Sequence, residues 1–203
     1  MNLLLVDYGM GNIRSLTSTL EYLGVINIEI GSDYDQFKAA DKIILPGVGG
    51  FNRAINEIRK KQIDLKLQEF VIENKKPLLG ICLGMQLMGL SSTENGINKG
   101  LGFVNGKIDK LESNSLKIPH VGFNQVEINS DLKMYDGFKN IADFYFTHSY
   151  KMTSKEKINS CYCNYGKKFI ASFQKDNLVG VQFHPELSQT NGINLLSNFL
   201  NKF

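Results

Sequence analysis

The spacing of hydrophobic residues changes about halfway along the chain. In the first ninety residues, short apolar runs alternate with segments in which apolar residues recur every three or four positions, as on the buried face of a helix. Strands are predicted at residues 3–6, 25–30, 42–45 and 77–81, and helices at residues 13–23, 52–60, 63–73 and 85–90. Strand–helix–strand alternation is typical of an α/β fold with a mostly parallel, open central sheet and helices on both faces.

From about residue 100, short strand-like runs follow one another, separated by Gly, Asn and Lys. These further strands are predicted at residues 106–108, 121–128, 144–146, 160–164, 169–174 and 178–183. We expect them to form antiparallel strands attached to the same sheet. Ile193, Leu196 and Phe199 then recur at helical spacing in a closing amphipathic helix. With no repeat, residues 1–203 are predicted to form a single domain.

Composition narrows the class of protein. A hydrophobic content of 42% is enough for a substantial core, and a net charge of +3 favours neither nucleic acid nor an anionic membrane as partner. The N-terminus has no basic segment before its apolar run, and no apolar run reaches the about 18 residues of a membrane span. Three cysteines, an odd number, fit a reducing cytoplasm. Cys161 and Cys163 lack a second pair at zinc spacing, so no metal is expected.

The sequence Gly80-Ile81-Cys82-Leu83-Gly84 lies where a predicted strand meets a predicted helix. A nucleophile between two such glycines is the pattern of a nucleophile elbow, here with Cys in place of Ser. The turn is tight, so a side chain at either glycine would collide with a neighbouring element. The helix that follows would place free N–H groups and its positive dipole end under the sulfur, which favours a thiolate. A buried, inert Cys82 is the alternative interpretation.

A nucleophilic cysteine needs a general base, and the chain has three histidines. His184 stands at a predicted strand end, where Pro185 stops the strand because it has no N–H to donate. In an extended chain, Glu186 points to the same side as His184, so its carboxylate can orient the imidazole. The sequence therefore predicts a triad of Cys82, His184 and Glu186.

Two other features are interpreted without a catalytic role. Gly9-x-Gly11 follows a strand as a dinucleotide-binding loop would, but position 14 is Arg where that fingerprint needs a third glycine. It is therefore interpreted as a tight loop or a surface that meets a partner. His120 and His148 have no adjacent carboxylate, and packing or hydrogen bonding near the site rim is favoured for both.

A second glycine-rich loop, Pro46 to Gly50, follows the strand at residues 42–45. Sites in open α/β sheets form beyond the carboxyl ends of the strands, where this loop and the elbow both lie. The N–H of Leu83 is one candidate oxyanion donor, and the loop Gly47–Gly49 is a candidate for the other. An ordinary glycine-rich turn is the alternative.

Together these motifs resemble those of the class I (triad) glutamine amidotransferases. The matching segments are Pro46-Gly47-Val48-Gly49, Gly80-Ile81-Cys82-Leu83-Gly84-Met85-Gln86 and Gln182-Phe183-His184-Pro185-Glu186. Three further segments resemble the glutaminase subunits of imidazole glycerol phosphate synthases. They are Asp7-Tyr8-Gly9-Met10-Gly11-Asn12, Pro119-His120-Val121-Gly122-Phe123-Asn124 and Tyr145-Phe146-Thr147-His148-Ser149-Tyr150. The resemblance runs from residue 3 to about residue 200.

The resemblance implies a flavodoxin-like fold and one glutamine amidotransferase type 1 domain that uses no cofactor. Cys82 would attack the side-chain amide of glutamine, His184 would pass the thiol proton to the leaving ammonia, and Glu186 would orient His184. The implied oxyanion hole consists of Val48, Gly49 and Leu83. The implied glutamine-binding residues are Gly47, Gln86, His148, Ser149 and Tyr150.

The resemblance also implies a partner chain. Because a (β/α)8 barrel needs about 250 residues, the step that uses ammonia is expected in another chain. The implied partner is the cyclase (β/α)8-barrel subunit of a heterodimer, which would make imidazole glycerol phosphate in cytoplasmic histidine biosynthesis. The residues implied to face it are Gly11, Asn12 and Tyr145.

Three positions depart from the usual pattern of the subunit: Leu187 replaces a basic residue, and Val121 and Phe123 replace Met and Trp. They leave a paralogous subunit open, one that supplies ammonia to a sugar-modifying amidotransferase in surface-polysaccharide biosynthesis. A free-standing thiol hydrolase and a non-enzymatic binding module are the remaining alternatives.

Overall fold

The computed structural model describes residues 1–112, 116–156 and 158–203. The first four strands and the last one form the parallel part of its main sheet. They are β1 (Asn2–Val6), β2 (Asn27–Gly31), β3 (Lys42–Leu45), β4 (Leu78–Ile81) and β13 (Leu178–Val181). In the order β2-β1-β3-β4-β13, every neighbouring pair is parallel. The predicted strand at residues 25–30 begins two residues late, because Val25 N–H still bonds to Leu20 of the preceding helix.

The antiparallel part comes from the second half of the chain, as predicted. Its strands are β8 (His120–Glu127), β9 (Ile141–His148), β11 (Asn159–Tyr165) and β12 (Lys167–Lys175). They continue the sheet in the order β13-β12-β11-β8-β9, so nine of the described strands form one sheet. The prediction of a mixed α/β sheet, mostly parallel in the first half and antiparallel in the second, is confirmed. Two of the strands predicted to be antiparallel members of this sheet are exceptions: β13 also pairs in parallel with β4, and the strand predicted at residues 106–108 belongs to a smaller sheet.

A smaller sheet was not predicted as a separate layer. It has the order β10-β7-β5-β6, and its strands are β5 (Ser91–Ser92), β6 (Asn98–Lys99), β7 (Gly106–Lys110) and β10 (Tyr150–Ser154). Two of these strands have two residues each, too few to show a period in the sequence. This sheet carries a hairpin that reaches the functional site described below.

Helices cover both faces of the main sheet. They are α1 (Ile13–Tyr22), α2 (Tyr34–Ala39), α3 (Phe51–Lys60), α4 (Ile63–Leu67), α5 (Leu83–Leu87) and α6 (Gln189–Lys202). Side chains alternate along β1, so that Leu3 and Leu5 pack with α1 and α6 on one face. Leu4 and Val6 pack with α2, α3 and α4 on the other face.

Two helices differ in extent from the prediction, and α2 was not predicted from the sequence. The predicted helix at 63–73 is α4 followed by a π-helical turn, Gln68–Glu73. Helix α5 ends at Leu87 rather than 90, because Met88 N–H and Gly89 N–H bond three residues back in a tighter turn. Asn12 occupies the N-cap position of α1, but its side chain makes no capping hydrogen bond. Among the described residues, no helix combines the length and apolar character needed to cross a bilayer.

The close approach of α5 to β3 gives a first prediction. A Cβ atom at Gly84 would lie 1.8 Å from the carbonyl oxygen of Leu45, so Gly84→Ala forces the helix away from the sheet. We expect the free energy of unfolding, measured in urea, to fall by about 3 kcal/mol. Gly50→Ala is the control, because the nearest atom to its added Cβ lies at an ordinary 3.6 Å. It should cost less than about 1 kcal/mol, and equal losses in both variants would contradict the explanation.

Candidate active site

The backbone at Cys82 is the most unusual feature of the site. Cys82 lies between β4 and α5 with φ 52° and ψ −107°, a conformation that residues other than glycine rarely adopt. Its N–H donates to the carbonyl of Val181 at 2.7 Å. A Cβ at Gly80 would lie 2.7 Å from the sulfur of Met88, and Gly84 has the contact with Leu45 given above. The two glycines are therefore required by close packing at the turn, as the sequence predicted.

Strand β13 brings His184 to this cysteine. It runs parallel to β4, and Val181 lies beside Ile81, so both chains leave the sheet at the same edge. His184 N–H then donates to Tyr145 O at 2.8 Å. Two strands that are a hundred residues apart in sequence thus deliver the nucleophile and the histidine to one place.

Glu186 pairs with His184, but the backbone between them has a different conformation from the one expected. The sequence argument assumed an extended chain, but Pro185–Leu187 forms a turn of 3-10 helix. Nδ1 of His184 nevertheless lies 2.9 Å from Oε1 of Glu186, and both side chains are 3% exposed.

The surroundings of His184 favour its charged form. Burial works against the charge, but the nearby Cys82 sulfur and the Glu186 carboxylate outweigh it and raise the pKa of His184 to about 10. Nε2 of His184 is buried and makes no formed hydrogen bond to any residue in the described ranges. An imidazolium in this position stabilises a neighbouring thiolate.

A cavity of about 280 Å³ opens at the sulfur. It brings together most of the predicted site residues from five separate segments of the chain. The lining residues are Val48, Gly49, Cys82, Leu83, Gln86, Glu94, Pro119, Thr147, His148, Ser149 and Tyr150. This volume suits a ligand smaller than a drug-sized molecule.

The predicted oxyanion donor is already engaged. Leu83 N–H donates to the carbonyl oxygen of Gly47 at 3.3 Å, and Gly47 does not line the cavity. Among the predicted glutamine-binding residues, Gly47 is the one that does not line the cavity in this conformation. A buried N–H needs an acceptor, and the Gly47 carbonyl supplies it.

Glu94 is a cavity residue that sequence reasoning missed. It lies in the hairpin between β5 and β6, and its Oε2 accepts the N–H of Phe51 at 2.9 Å, at the start of α3. The sequence gives no signal for it, because it sits in a polar turn with no periodicity. Only the packing of that hairpin against α3 places a carboxylate in the cavity wall.

His120 and His148 form a buried pair beside the cavity, consistent with the structural interpretation given to both. Nδ1 of His120 lies 3.0 Å from Nε2 of His148, and Nδ1 of His148 lies 2.8 Å from the carbonyl oxygen of Tyr150. Burial lowers the pKa of His120 to about 4 and that of His148 to about 3, where the charge of the neighbouring histidines adds to the effect. Both rings are therefore neutral at neutral pH.

The residues predicted to face a partner are half-buried rather than fully exposed: Gly11, Asn12 and Tyr145. The ring of Tyr145 packs edge-on against Phe123, with centroids 5.6 Å apart. Phe123 is 50% exposed, and Val121 and Leu187 are also exposed. The three positions that depart from the subunit pattern thus all present apolar surface to solvent.

Cys161 and Cys163 lie away from the site, buried on β11, where a bulge follows Cys161. Across the described ranges, no group of three or more His, Cys, Asp or Glu side chains has the geometry to hold a metal ion.

Comparison with known proteins defines the class. A family model described as glutamine amidotransferase class-I matches residues 4–203. The chain therefore belongs to the class-I glutamine amidotransferase family.

Two curated relatives are both named as subunits of imidazole glycerol phosphate synthase. The chain is 44% identical over 197 residues to imidazole glycerol phosphate synthase subunit HisH 1 of Campylobacter jejuni, which covers 97% of this chain and 98% of the relative. It is 39% identical over 201 residues to subunit HisH 2 of Vibrio vulnificus, covering 98% and 94%. Among solved structures, PurLQS from Thermotoga maritima matches with a TM-score of 0.72 and 19% identity, covering 98% of this chain and 97% of that one, which supports the fold.

The buried histidine pair predicts loss of stability in acid. The unfolded chain takes up protons at these rings below about pH 6.5, whereas the folded chain does so only near pH 4 and 3. The free energy of unfolding should therefore fall as the pH drops through this window, because the unfolded state binds more protons. We expect His120→Gln to flatten the fall, measured by urea unfolding between about pH 7 and 4. Parallel curves for the variant and the parent chain would contradict the assignment of neutral rings.

Proposed function

We propose that this chain is the glutaminase subunit of an imidazole glycerol phosphate synthase, an amidotransferase that supplies ammonia for histidine biosynthesis. The relatives that match nearly its whole length are named as subunits of that synthase. The observation that carries the proposal is the position of His184, with Cys82 near one side of its ring and Glu186 bonded to Nδ1. We further propose that residues 1–203 act as one amidotransferase domain.

The proposed reaction begins at the sulfur. The Cys82 thiolate attacks the side-chain carbonyl carbon of glutamine, and the tetrahedral intermediate collapses to a γ-glutamyl thioester as ammonia leaves. His184, held protonated, gives its proton to the departing nitrogen. It then takes a proton from the water that hydrolyses the thioester, which releases glutamate and regenerates the thiolate. Glu186 keeps Nδ1 protonated and the ring in place.

Glutamine binding is assigned to the cavity walls. The Glu94 carboxylate in the cavity wall suits the α-ammonium group of glutamine. Gln86 uses its amide N–H groups inside the protein, so the group that it offers to a ligand is its carbonyl oxygen. The segment His148–Tyr150 also lines the cavity, and we place the γ-amide of glutamine at Cys82.

The oxyanion hole needs a movement of the loop at Gly47. Leu83 N–H serves the oxyanion only after the Gly47 carbonyl leaves it, and Val48 and Gly49 then supply the further donors that we propose. Gly49 already has φ +99°, a backbone region open to glycine. In the conformation seen here, the chain is expected to hydrolyse glutamine slowly.

The partner is proposed to be the cyclase (β/α)8-barrel subunit, in a cytoplasmic heterodimer. The naming of the relatives as subunits supports a partner, and the surface near Gly11, Asn12 and Tyr145 is the proposed contact. The exposed apolar side chains of Val121 and Phe123 extend that surface. Docking there would shelter ammonia from the water that converts it to unreactive ammonium.

Removing the nucleophile tests the proposal. Glutamate release is measured with the chain alone and with the cyclase subunit, and release should be faster with the partner. Cys82→Ala should abolish release in both cases, whereas Cys163→Ala, at a buried cysteine away from the cavity, should leave it close to the parent rate. Release that persists in Cys82→Ala, or no release by the parent chain in either condition, would contradict the proposed function.

Substituting Glu94 tests the binding assignment separately. Glu94→Gln retains an oxygen for the Phe51 N–H but removes the charge that faces the ammonium group. We expect the KM for glutamine to rise about 10- to 100-fold with a smaller change in kcat, the range for a hydrogen bond between charged groups. Glu73→Gln, at an exposed carboxylate away from the cavity, is the matched control. An unchanged KM in Glu94→Gln would remove Glu94 from the site.

A further inference from the structure

A buried glutamine that no part of the mechanism yet uses touches the nucleophile. Nε2 of Gln182 lies 3.7 Å from the sulfur of Cys82, and Gln182 is wholly buried. On its other side, Oε1 of Gln182 accepts a hydrogen bond from Nε2 of Gln86 at 2.9 Å. Gln182 therefore lies between the reacting sulfur and a residue of the cavity wall.

The hydrogen-bond partners fix which end of the Gln182 amide faces the sulfur. The carbonyl oxygen of Tyr150 can only accept, and it lies 3.0 Å from Gln86, so the Gln86 atom there is the donating nitrogen. That nitrogen also faces Gln182, which must present its oxygen to it. The amide nitrogen of Gln182 is left facing Cys82, as a donor.

The same carbonyl determines the tautomers of the two neutral histidines, His148 and His120. Nδ1–H of His148 donates to Tyr150 O, so Nε2 of His148 accepts from Nδ1–H of His120. Nε2 of His120 then accepts from the side-chain amide of Asn124 at 3.2 Å. Every member has a complementary partner, which is the condition under which a buried polar network rigidifies its surroundings.

This network holds groups in place and does not carry protons. Hydrogen bonds run toward Tyr150 O from both sides, from His148 and from Gln86, so no single direction of donation connects Asn124 to Cys82. A proton cannot pass through a backbone carbonyl that only accepts. The role that remains for the network is to fix the Gln86 amide and, through it, the amide of Gln182.

We propose that Gln182 is a further catalytic residue, whose amide N–H donates to the Cys82 sulfur and stabilises the thiolate. Gln86, His148 and His120 are positioning residues that act through it. This inference rests on the proposed function, in which Cys82 is the nucleophile.

The need for such a donor follows from the other neighbour of the sulfur. The sulfur lies 3.9 Å from the carbonyl oxygen of Thr147, which accepts a hydrogen bond from a thiol but repels a thiolate. Gln182 supplies an N–H that offsets this repulsion. It does so both before attack and when hydrolysis of the thioester returns the negative charge to the sulfur.

Two substitutions separate this role from packing. Gln182→Glu keeps the shape and an oxygen for Gln86 but places an oxygen instead of an N–H at the sulfur. Gln182→Met keeps the approximate volume and removes both polar contacts. Gln174→Met is the matched control, at a glutamine on β12 away from the cavity. The measurements are the rate of Cys82 alkylation by iodoacetamide, the thermal unfolding midpoint, and kcat and KM for glutamine with the cyclase subunit bound.

We expect both Gln182 variants to lower kcat and the alkylation rate about 10- to 100-fold, the range for a hydrogen bond to a charged group, with KM within about threefold of the parent. Gln174→Met should match the parent chain. Gln182 variants that unfold at lower temperature but keep the parent alkylation rate, measured on the folded protein, would overturn the inference and leave Gln182 a packing residue. If Gln182→Met does not fold, the isosteric Gln182→Glu gives the answer alone.

The two proposals can fail separately. Parent chain that releases glutamate with its partner, while both Gln182 variants retain full kcat and alkylation, overturns the role of Gln182 and leaves the proposed function standing. Parent chain that releases no glutamate, while the Gln182 variants slow alkylation of Cys82, overturns the proposed function and supports the contact between Gln182 and the sulfur.

Discussion

The site depends on one strained residue held by a sheet. Cys82 adopts φ 52° and ψ −107°, which costs about 1–3 kcal/mol for a residue with a side chain. The strain is sustained because β4 is paired on both sides, by β3 and by β13, and because Gly84 packs directly against Leu45. A weaker sheet would let the turn relax and carry the sulfur away from His184. The parallel core of the fold is therefore what keeps the nucleophile exposed to its cavity.

The three histidines show how surroundings decide chemistry. His184 has a carboxylate on one nitrogen and a sulfur near the other, and these raise its pKa although burial opposes the charge. His120 and His148 are also buried, but their neighbours are each other, aromatic rings and neutral hydrogen-bonding groups. Their pKa values fall, and they remain neutral. Similar burial therefore produces a proton donor in one place and a rigid support in the other.

Patterns local in the sequence predicted much of this site, and contacts between distant segments supplied the rest. Gly80-x-Cys82-x-Gly84 predicted the elbow, because the steric requirement for its two glycines lies within five consecutive residues. The pairing of His184 with Glu186 was predicted from their separation, although the backbone between them is a 3-10 turn. Glu94 reaches the cavity only through the packing of its hairpin on α3, which leaves no mark on its own sequence.

The loop at Gly47 joins substrate binding to the oxyanion hole. Its first carbonyl, on Pro46, accepts a hydrogen bond from the buried hydroxyl of Tyr8 at 2.8 Å. Its far end, at the N–H of Phe51, is held by Glu94. Between these two anchors, any movement that frees Leu83 N–H must be taken up by the residues from Gly47 to Gly50, three of which are glycines. Glu94 both anchors this loop and lines the cavity. A cationic ligand group that binds the Glu94 carboxylate therefore also changes its hydrogen bond to Phe51 N–H. Through that bond it affects the loop whose Gly47 carbonyl accepts from Leu83 N–H.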